Sequence, residues 1–152
     1  MSEFNLKSAF ADKMAESGIT PAAIKKLGYE ALPADKVPKE TPFQEPAILI
    51  PYHDITGKKS KFWRLRYLKQ PELTGFARKA KHKPLKYVQP KSSVNQLYLP
   101  PVVNWVEVAA DSLTPILITE GEFKAACASI HTEYPTIGLG DVWSWKSDKK
   151  RM

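Results

Sequence analysis

The residue order from Pro115 to Ala128 constrains this chain more than any other feature: Pro115-Ile116-Leu117-Ile118-Thr119, then Glu120-Gly121-Glu122, then Phe123-Lys124-Ala125-Ala126-Cys127-Ala128. The apolar and β-branched run predicts a strand buried on both faces. The Ala-rich stretch after Gly121 predicts a helix, so the segment reads as a βα unit of an α/β sheet. Ligands of such sheets gather outside the carboxyl ends of the strands. Glu120 stands at that end, where a carboxylate can hold a divalent cation or move a proton. Pro135-Thr136-Ile137, followed by Gly138-Leu139-Gly140-Asp141, reads as a second parallel strand and its turn. A lone Gly-x-Gly serves a structural turn as readily as a phosphate site.

At 152 residues and 43% hydrophobic content, the chain suffices for one ordinary domain or two small units sharing a core. No apolar run approaches a membrane span, and the first residues lack the basic-then-apolar order of a signal peptide, so a cytoplasmic protein with no membrane partner is expected. The single cysteine, Cys127, excludes an internal disulfide and a cysteine-built zinc site. Set among alanines, it reads as a buried, inert thiol. His53, His82 and His131 show no metal-ligand spacing and read as ordinary histidines.

The placement of the net charge of +7 matters more than its size. From Lys58 to Lys91 stand twelve cations, including Lys58, Lys59, Lys61, Arg64, Arg66, Arg78, Lys79, Lys81 and Lys83, opposed only by Glu72. The rest of the chain is slightly acidic. A one-sided field of this kind suits a polyanion, because each Lys or Arg that neutralises a phosphate releases condensed counterions. Within Arg78–Lys86, which lacks apolar alternation, a binding surface and a solvated loop are equally good readings.

Along the chain, Leu6, Phe10 and Met14 recur at helical spacing until Gly18. Thr20-Pro21 then supplies an N-cap and a first-turn proline for a second short helix ending at Gly28. This helical hairpin, residues 1–31, is too short in its second helix and too poor in base-reading side chains for a DNA-reading helix-turn-helix. Residues 32–46, with Pro33, Pro38, Pro42 and Pro46, read as an extended connector without regular structure. In a basic β-rich region, 47–111, Ala47–Tyr52 and Lys61–Leu68 form a β-hairpin around the turn Asp54–Lys58. Period-two alternation places Phe62, Arg64, Arg66 and Leu68 on one face and Trp63, Leu65 and Tyr67 on the other, with the arginines directed outward. Tyr87-Val88 and Leu97–Leu99 add short strands, and Asn104–Ala110 a helical turn. The aromatics around Arg64 and Arg66 suit a core more than a base-stacking platform. Trp143 and Trp145 suit stacking and burial against a partner equally.

These residues carry a resemblance. Ile118-Thr119-Glu120-Gly121-Glu122-Phe123-Lys124-Ala125-Ala126 with Pro135–Gly140 looks like the first half of a Toprim-like domain, and resembles the DUF3854 family of phage- and plasmid-type primase and primase-helicase proteins. Glu16–Ile19, Gly28-Tyr29, Ile50-Pro51-Tyr52 with Asp54 and Gly57, Arg64–Tyr67, Tyr87–Pro90 and Tyr98–Pro101 extend it over nearly the whole chain. The resemblance implies DNA replication of a mobile element and Mg²⁺-assisted phosphoryl transfer, with Glu120 as metal ligand or general acid/base beside a later Asp-x-Asp pair. Several carboxylates must converge to hold a hard cation on phosphate oxygens. The chain stops before such a pair, Asp148 alone does not replace it, Lys124 stands where relatives carry an acid, and Asp141 where they carry glycine.

The expected architecture is therefore α+β: an N-terminal helical hairpin, a small antiparallel basic β-sheet, and a truncated Toprim-like βαβ half over 112–152, the last forming one compact unit with 47–111. The uncovered parallel sheet needs the upstream hairpin, a second copy or a partner chain to complete it. The leading expectation is a nucleic-acid-binding module of a primase system, DNA favoured over RNA, with Lys58, Lys59, Lys61, Arg64, Arg66, Arg78, Lys79, Lys81, Lys83 and Lys124 engaging phosphates and Glu120 marking an incomplete metal site. Alternatives are a Mg²⁺-dependent nucleotidyl-transfer or phosphodiester-cleaving enzyme completed in trans, and a protein-interaction or inhibitor module acting on a replication or defence protein; a helicase or primase is an expected partner.

Overall fold

The computed structural model describes residues 4–72 and 85–141. Helices α1 (Leu6–Glu16) and α2 (Pro21–Leu27) form where their signals lie. Asn5 accepts from the Ser8 amide at 3.0 Å and Thr20 from the Ala23 amide at 3.3 Å, so each first turn has a side-chain cap. Gly28 ends α2 in the left-handed conformation, φ 71°. Gly18, between the helices, has φ +70°, and a Cβ there would lie 2.7 Å from the Cys127 sulfur. The turn needs glycine both for its dihedral and for its approach to a helix more than a hundred residues later.

Strands β1 (Glu30–Leu32), β2 (Ala47–His53), β3 (Lys59–Tyr67) and β4 (Tyr87–Val88) form an antiparallel sheet in that order. The β2–β3 turn is held by Asp54, whose carboxylate accepts from the amides of Thr56 at 2.8 Å and Lys58 at 3.0 Å, with Gly57 at φ 81°. Pro51 is tolerated inside β2 because β1 pairs only as far as Leu49, leaving no ladder bond for the missing N–H to break on that side.

Both faces of this sheet are covered. Ile48, Ile50, Tyr52 and Phe62 pack with Met14, Leu27 and Phe123 in the main core. Leu65 and Tyr67 pack on the other side with Val37 and Phe43 of the proline-rich segment. The connector thus acts as a lid on the sheet, with Tyr67 donating to the Phe43 carbonyl at 3.0 Å. Two expectations are corrected here. Leu32 belongs to a paired strand and Ala34–Lys36 form a 3₁₀ turn, because the segment lies against a sheet that supplies partners for its backbone. The face bearing Phe62, Arg64, Arg66 and Leu68 turns inward, because the second half of the chain packs on it.

Helix α3 (Trp105–Ala110), capped by Asn104, precedes β5 (Leu117–Glu120), α4 (Glu122–His131) and β6 (Thr136–Leu139). β5 and β6 pair in parallel, Leu117 opposite Thr136 and Glu120 opposite Leu139, so the βαβ reading holds. Tyr98 pairs with Gly138 on the far side of β6, so Leu97–Leu99 contribute one bridge to the parallel pair. A Cβ on Gly138 would meet Ala125, the Gly121 carbonyl and Tyr98, each at 3.1 Å, so close packing on both sides of β6 requires glycine.

The expectation that β5 is buried on both faces fails. Leu117 is 43% and Ile118 66% exposed. β6 takes the central position between β5 and Tyr98, and among the described residues no strand pairs with the other edge of β5.

Candidate functional site

A cleft of about 820 Å³ opens where α1, the β3–β4 edge and the β5–α4 turn meet. Its walls are built by three separate signals in the chain: the end of the capped α1 supplies Lys13 and Glu16, the basic sheet supplies Arg66, Lys86 and Tyr87, and the acidic turn supplies Glu120, Glu122 and Lys124. Lys13 and Glu16 pair with each other at 2.9 Å. That hydrogen bond and the Lys13 charge hold Glu16 below the usual carboxylate range. The Arg66 guanidinium lies 5.9 Å from the centre of the Tyr87 ring, within cation–π range.

Behind the cleft wall lies a buried polar cluster. Glu122, the first residue of α4, is 1% exposed. Its Oε1 accepts from Tyr52 Oη and from Arg64 Nη1, both at 2.6 Å. Arg64 also donates to the Gly140 carbonyl at 3.3 Å and stacks 4.8 Å over Tyr87. One guanidinium on β3 therefore grips the start of α4 and the residue just beyond β6. Burial opposes the charge of Arg64, but Glu122 and Tyr52 more than offset it and its pKa is raised. Burial, then the Glu122 charge, drives the Tyr52 pKa far above the ordinary phenol value. A phenol pair, Tyr29 and Tyr98 at 2.7 Å, sits next to Tyr52, both raised chiefly by burial. Glu122 Oε2 and Arg64 Nε have no partner among the described residues. Removing either charge strands the other, at a cost of about 3–5 kcal/mol.

The structure separates the residues that sequence reading grouped together. Lys58, Lys59 and Lys61 are exposed at the hairpin turn and the start of β3, away from the cleft walls. Arg64 does not point outward: its side chain is 13% exposed and committed to Glu122. Arg66, Lys124 and Glu120 do line the cleft together. Arg78, Lys79, Lys81 and Lys83, with Trp143, Trp145 and Asp148, lie outside the described residues. Sequence reading assigned no role to Glu122, Tyr52, Tyr98 or Lys13, because their significance rests on partners distant in the chain. The one local signal was the second acid of Glu120-Gly121-Glu122, a carboxylate opening a helix whose next turn is apolar.

Residues 104–152 match the family model described as "Domain of unknown function (DUF3854)". No curated protein matches the chain by sequence. Two solved structures resemble it: the DnaG catalytic core, with TM-score 0.54 and 10% identity, and the DnaG primase catalytic domain bound to ssDNA, with TM-score 0.51 and 12% identity. Each likeness covers 90% of this chain and 48% or 49% of the other, so the chain spans about half the length of those structures. At such identities the likeness is one of fold, and it takes in the mixed architecture of antiparallel sheet and parallel βαβ unit together.

The Mg²⁺ implied by the resemblance can be tested against the donors present. A hard divalent cation takes about six oxygen ligands, usually with more than one carboxylate among those the protein supplies. Glu122 is neutralised by Arg64, leaving Glu120 as the solvent-facing carboxylate of the turn. Lys124 follows four residues later. No group of three or more His, Cys, Asp or Glu able to hold a metal forms among the described residues. Those residues do not by themselves fit the ion.

Proposed function

We propose that this chain is a nucleic-acid-binding module of a mobile-element DNA replication system of primase type, acting in the cytoplasm, with the cleft beside the β5–α4 turn as its phosphate-contacting surface. The observation that carries the reading is the convergence of Arg66, Lys86 and Lys124 from separate elements on one cleft, in a chain of net charge +7. The primase-core fold over 90% of the chain supports it. The exposed lysines of the hairpin, Lys58, Lys59 and Lys61, extend the field beyond the cleft. DNA is the favoured polymer. Glu120 is then one carboxylate of a metal site that the described residues do not complete. Among the described residues no helix is long and apolar enough to cross a membrane.

Binding of a fluorescent single-stranded oligonucleotide, measured by anisotropy at low and moderate salt, tests the reading. Affinity should fall steeply with salt, and replacing Arg66 and Lys86 with alanine should weaken it about ten-fold and flatten the salt dependence. Absence of binding at low salt would overturn it.

The exposed strand β5 favours a second reading, a protein-interaction role. Ile118 within β5 is 66% exposed and Leu113, four residues before the strand, 89%, and among the described residues no strand pairs with the outer edge of β5, a surface suited to pairing with a strand of a partner chain. Stable co-migration with a replication protein, abolished by charged substitutions on β5, would move the weight to this reading.

A further inference from the structure

We propose that the cleft is a metal-independent phosphate site, in which the Lys124 ammonium, with Arg66 and Lys86, takes the place of the divalent cation that the fold would otherwise use. This rests on the nucleic-acid reading and specifies its chemistry. The charge balance of the cleft carries it. Glu16 is paired with Lys13, and Glu122 with Arg64, so those two carboxylates present little field to a ligand. Among the described walls, what remains are the cations Arg66, Lys86 and Lys124 against the carboxylate Glu120, with Arg66 also within reach of the Glu16 charge. An excess of positive charge facing a concave surface attracts oxyanions and repels Mg²⁺.

The position of Lys124 points the same way. It lies in the first turn of α4, where the helix dipole disfavours a cation. Gly121, the N-cap residue, has no side chain with which to shield that end. A lysine placed against local preference, exposed and lining a cavity, is what an anionic ligand would compensate and an empty surface would not. Arg66 is half-buried and anchored over Tyr87, so it is pre-oriented and loses less freedom on binding than a mobile lysine.

The shared chemistry is a phosphate oxyanion, which can come from a nucleic-acid backbone or from a free polyphosphate chain. Two probes separate the sources: inorganic tripolyphosphate, and a short single-stranded DNA lacking a terminal phosphate. Each is titrated into the intact chain by calorimetry, in EDTA and in excess Mg²⁺. At least one probe should bind equally well or better in EDTA. Lys124→Gln should weaken that binding about ten-fold. Lys124→Glu, which sets a second solvent-facing carboxylate beside Glu120, should weaken binding in EDTA and regain part of it in Mg²⁺. Lys124 is exposed, so unchanged circular dichroism is expected of both variants. DNA binding that appears only with Mg²⁺ would overturn this inference while leaving the nucleic-acid reading intact. Lack of DNA binding in every buffer would remove that reading, and with tripolyphosphate also unbound the inference falls with it.

Discussion

The antiparallel sheet and the parallel pair use similar apolar strands to different ends. β2 and β3 have partners along both edges and packing on both faces, and they bury Ile48, Ile50 and Leu65 completely. β5 has a comparable composition and leaves Ile118 two-thirds exposed. The difference teaches that an apolar run encodes a demand for burial without saying what meets it. In the first sheet the proline-rich segment and the helical hairpin meet it. At β5, among the described residues, α4 and β6 cover only part of the strand. Between the two regions runs the Arg64–Glu122–Tyr52 cluster, which fastens the antiparallel sheet to the parallel pair through charge and hydrogen bonds.

Breaking that fastening is expected to have the largest effect. Arg64→Met leaves the buried Glu122 carboxylate with Tyr52 alone, and should cost about 3–5 kcal/mol in urea unfolding. The double variant Arg64→Met/Glu122→Leu should recover most of the loss. If the single and double variants unfold alike, packing rather than charge joins the two regions.

The phenols of the same junction give a pH dependence. Tyr29, Tyr52 and Tyr98 are raised, chiefly by burial, above the value they have in the unfolded chain. Unfolded phenols release their protons from about pH 10 upward while the folded ones keep theirs. Stability should therefore be indifferent to these groups below that pH and fall above it, approaching about 1.4 kcal/mol per pH unit for each tyrosine held neutral. Urea midpoints measured on either side of that pH check the sign; a flat profile would mean that water reaches these hydroxyls.

A smaller effect is expected at the contact of the hairpin turn with α4. Gly18→Ala forces a left-handed residue to carry a Cβ 2.7 Å from the Cys127 sulfur, and should cost about 2 kcal/mol by thermal unfolding. The adjacent hydrogen bond between His131 and the Gly18 carbonyl, 2.7 Å long, would loosen with it. A wild-type melting temperature would show that the turn relaxes out of its left-handed dihedral and that α4 moves aside.

The smallest effect on stability belongs to the exposed strand. Ile118→Lys should change the unfolding free energy by less than about 0.5 kcal/mol, because the side chain already faces solvent. Sedimentation velocity then sharpens the contrast between the regions. A wild-type chain that self-associates while the variant does not would identify β5 as a surface awaiting a partner strand.

Much of this fold was legible because its signals are local. Thr20-Pro21 starts a helix, Gly18 and Gly28 end helices, Asp54 and Gly57 make a turn, and the switch from β-branched residues to alanines at Gly121 marks a βα unit. Each works mainly through neighbours within four residues, although Gly18 is also fixed by its approach to Cys127. The site was legible in part. Glu120 was named from its place at a strand end, Arg66 from the basic run and Lys124 from the resemblance, and the fold brings the three to one cleft. The inward turn of Arg64 was not legible, since period-two alternation assigns residues to faces without saying which face another part of the chain covers.

By itself, then, the sequence determined the order and type of the elements, the basic character of the β-rich region and the acidic turn after β5, all set by short-range sterics, hydrogen bonding and solvation. Only the tertiary structure decided which charges meet. Glu122 finds Arg64 across 58 residues and Tyr52 across 70. A carboxylate taken out of water must be neutralised or hydrogen-bonded, and the partner that does this is whichever group the packing of the two sheets brings within reach. That packing leaves Lys124, Arg66 and Lys86 facing the cleft with Glu120 as their one unpaired counter-charge among its described walls.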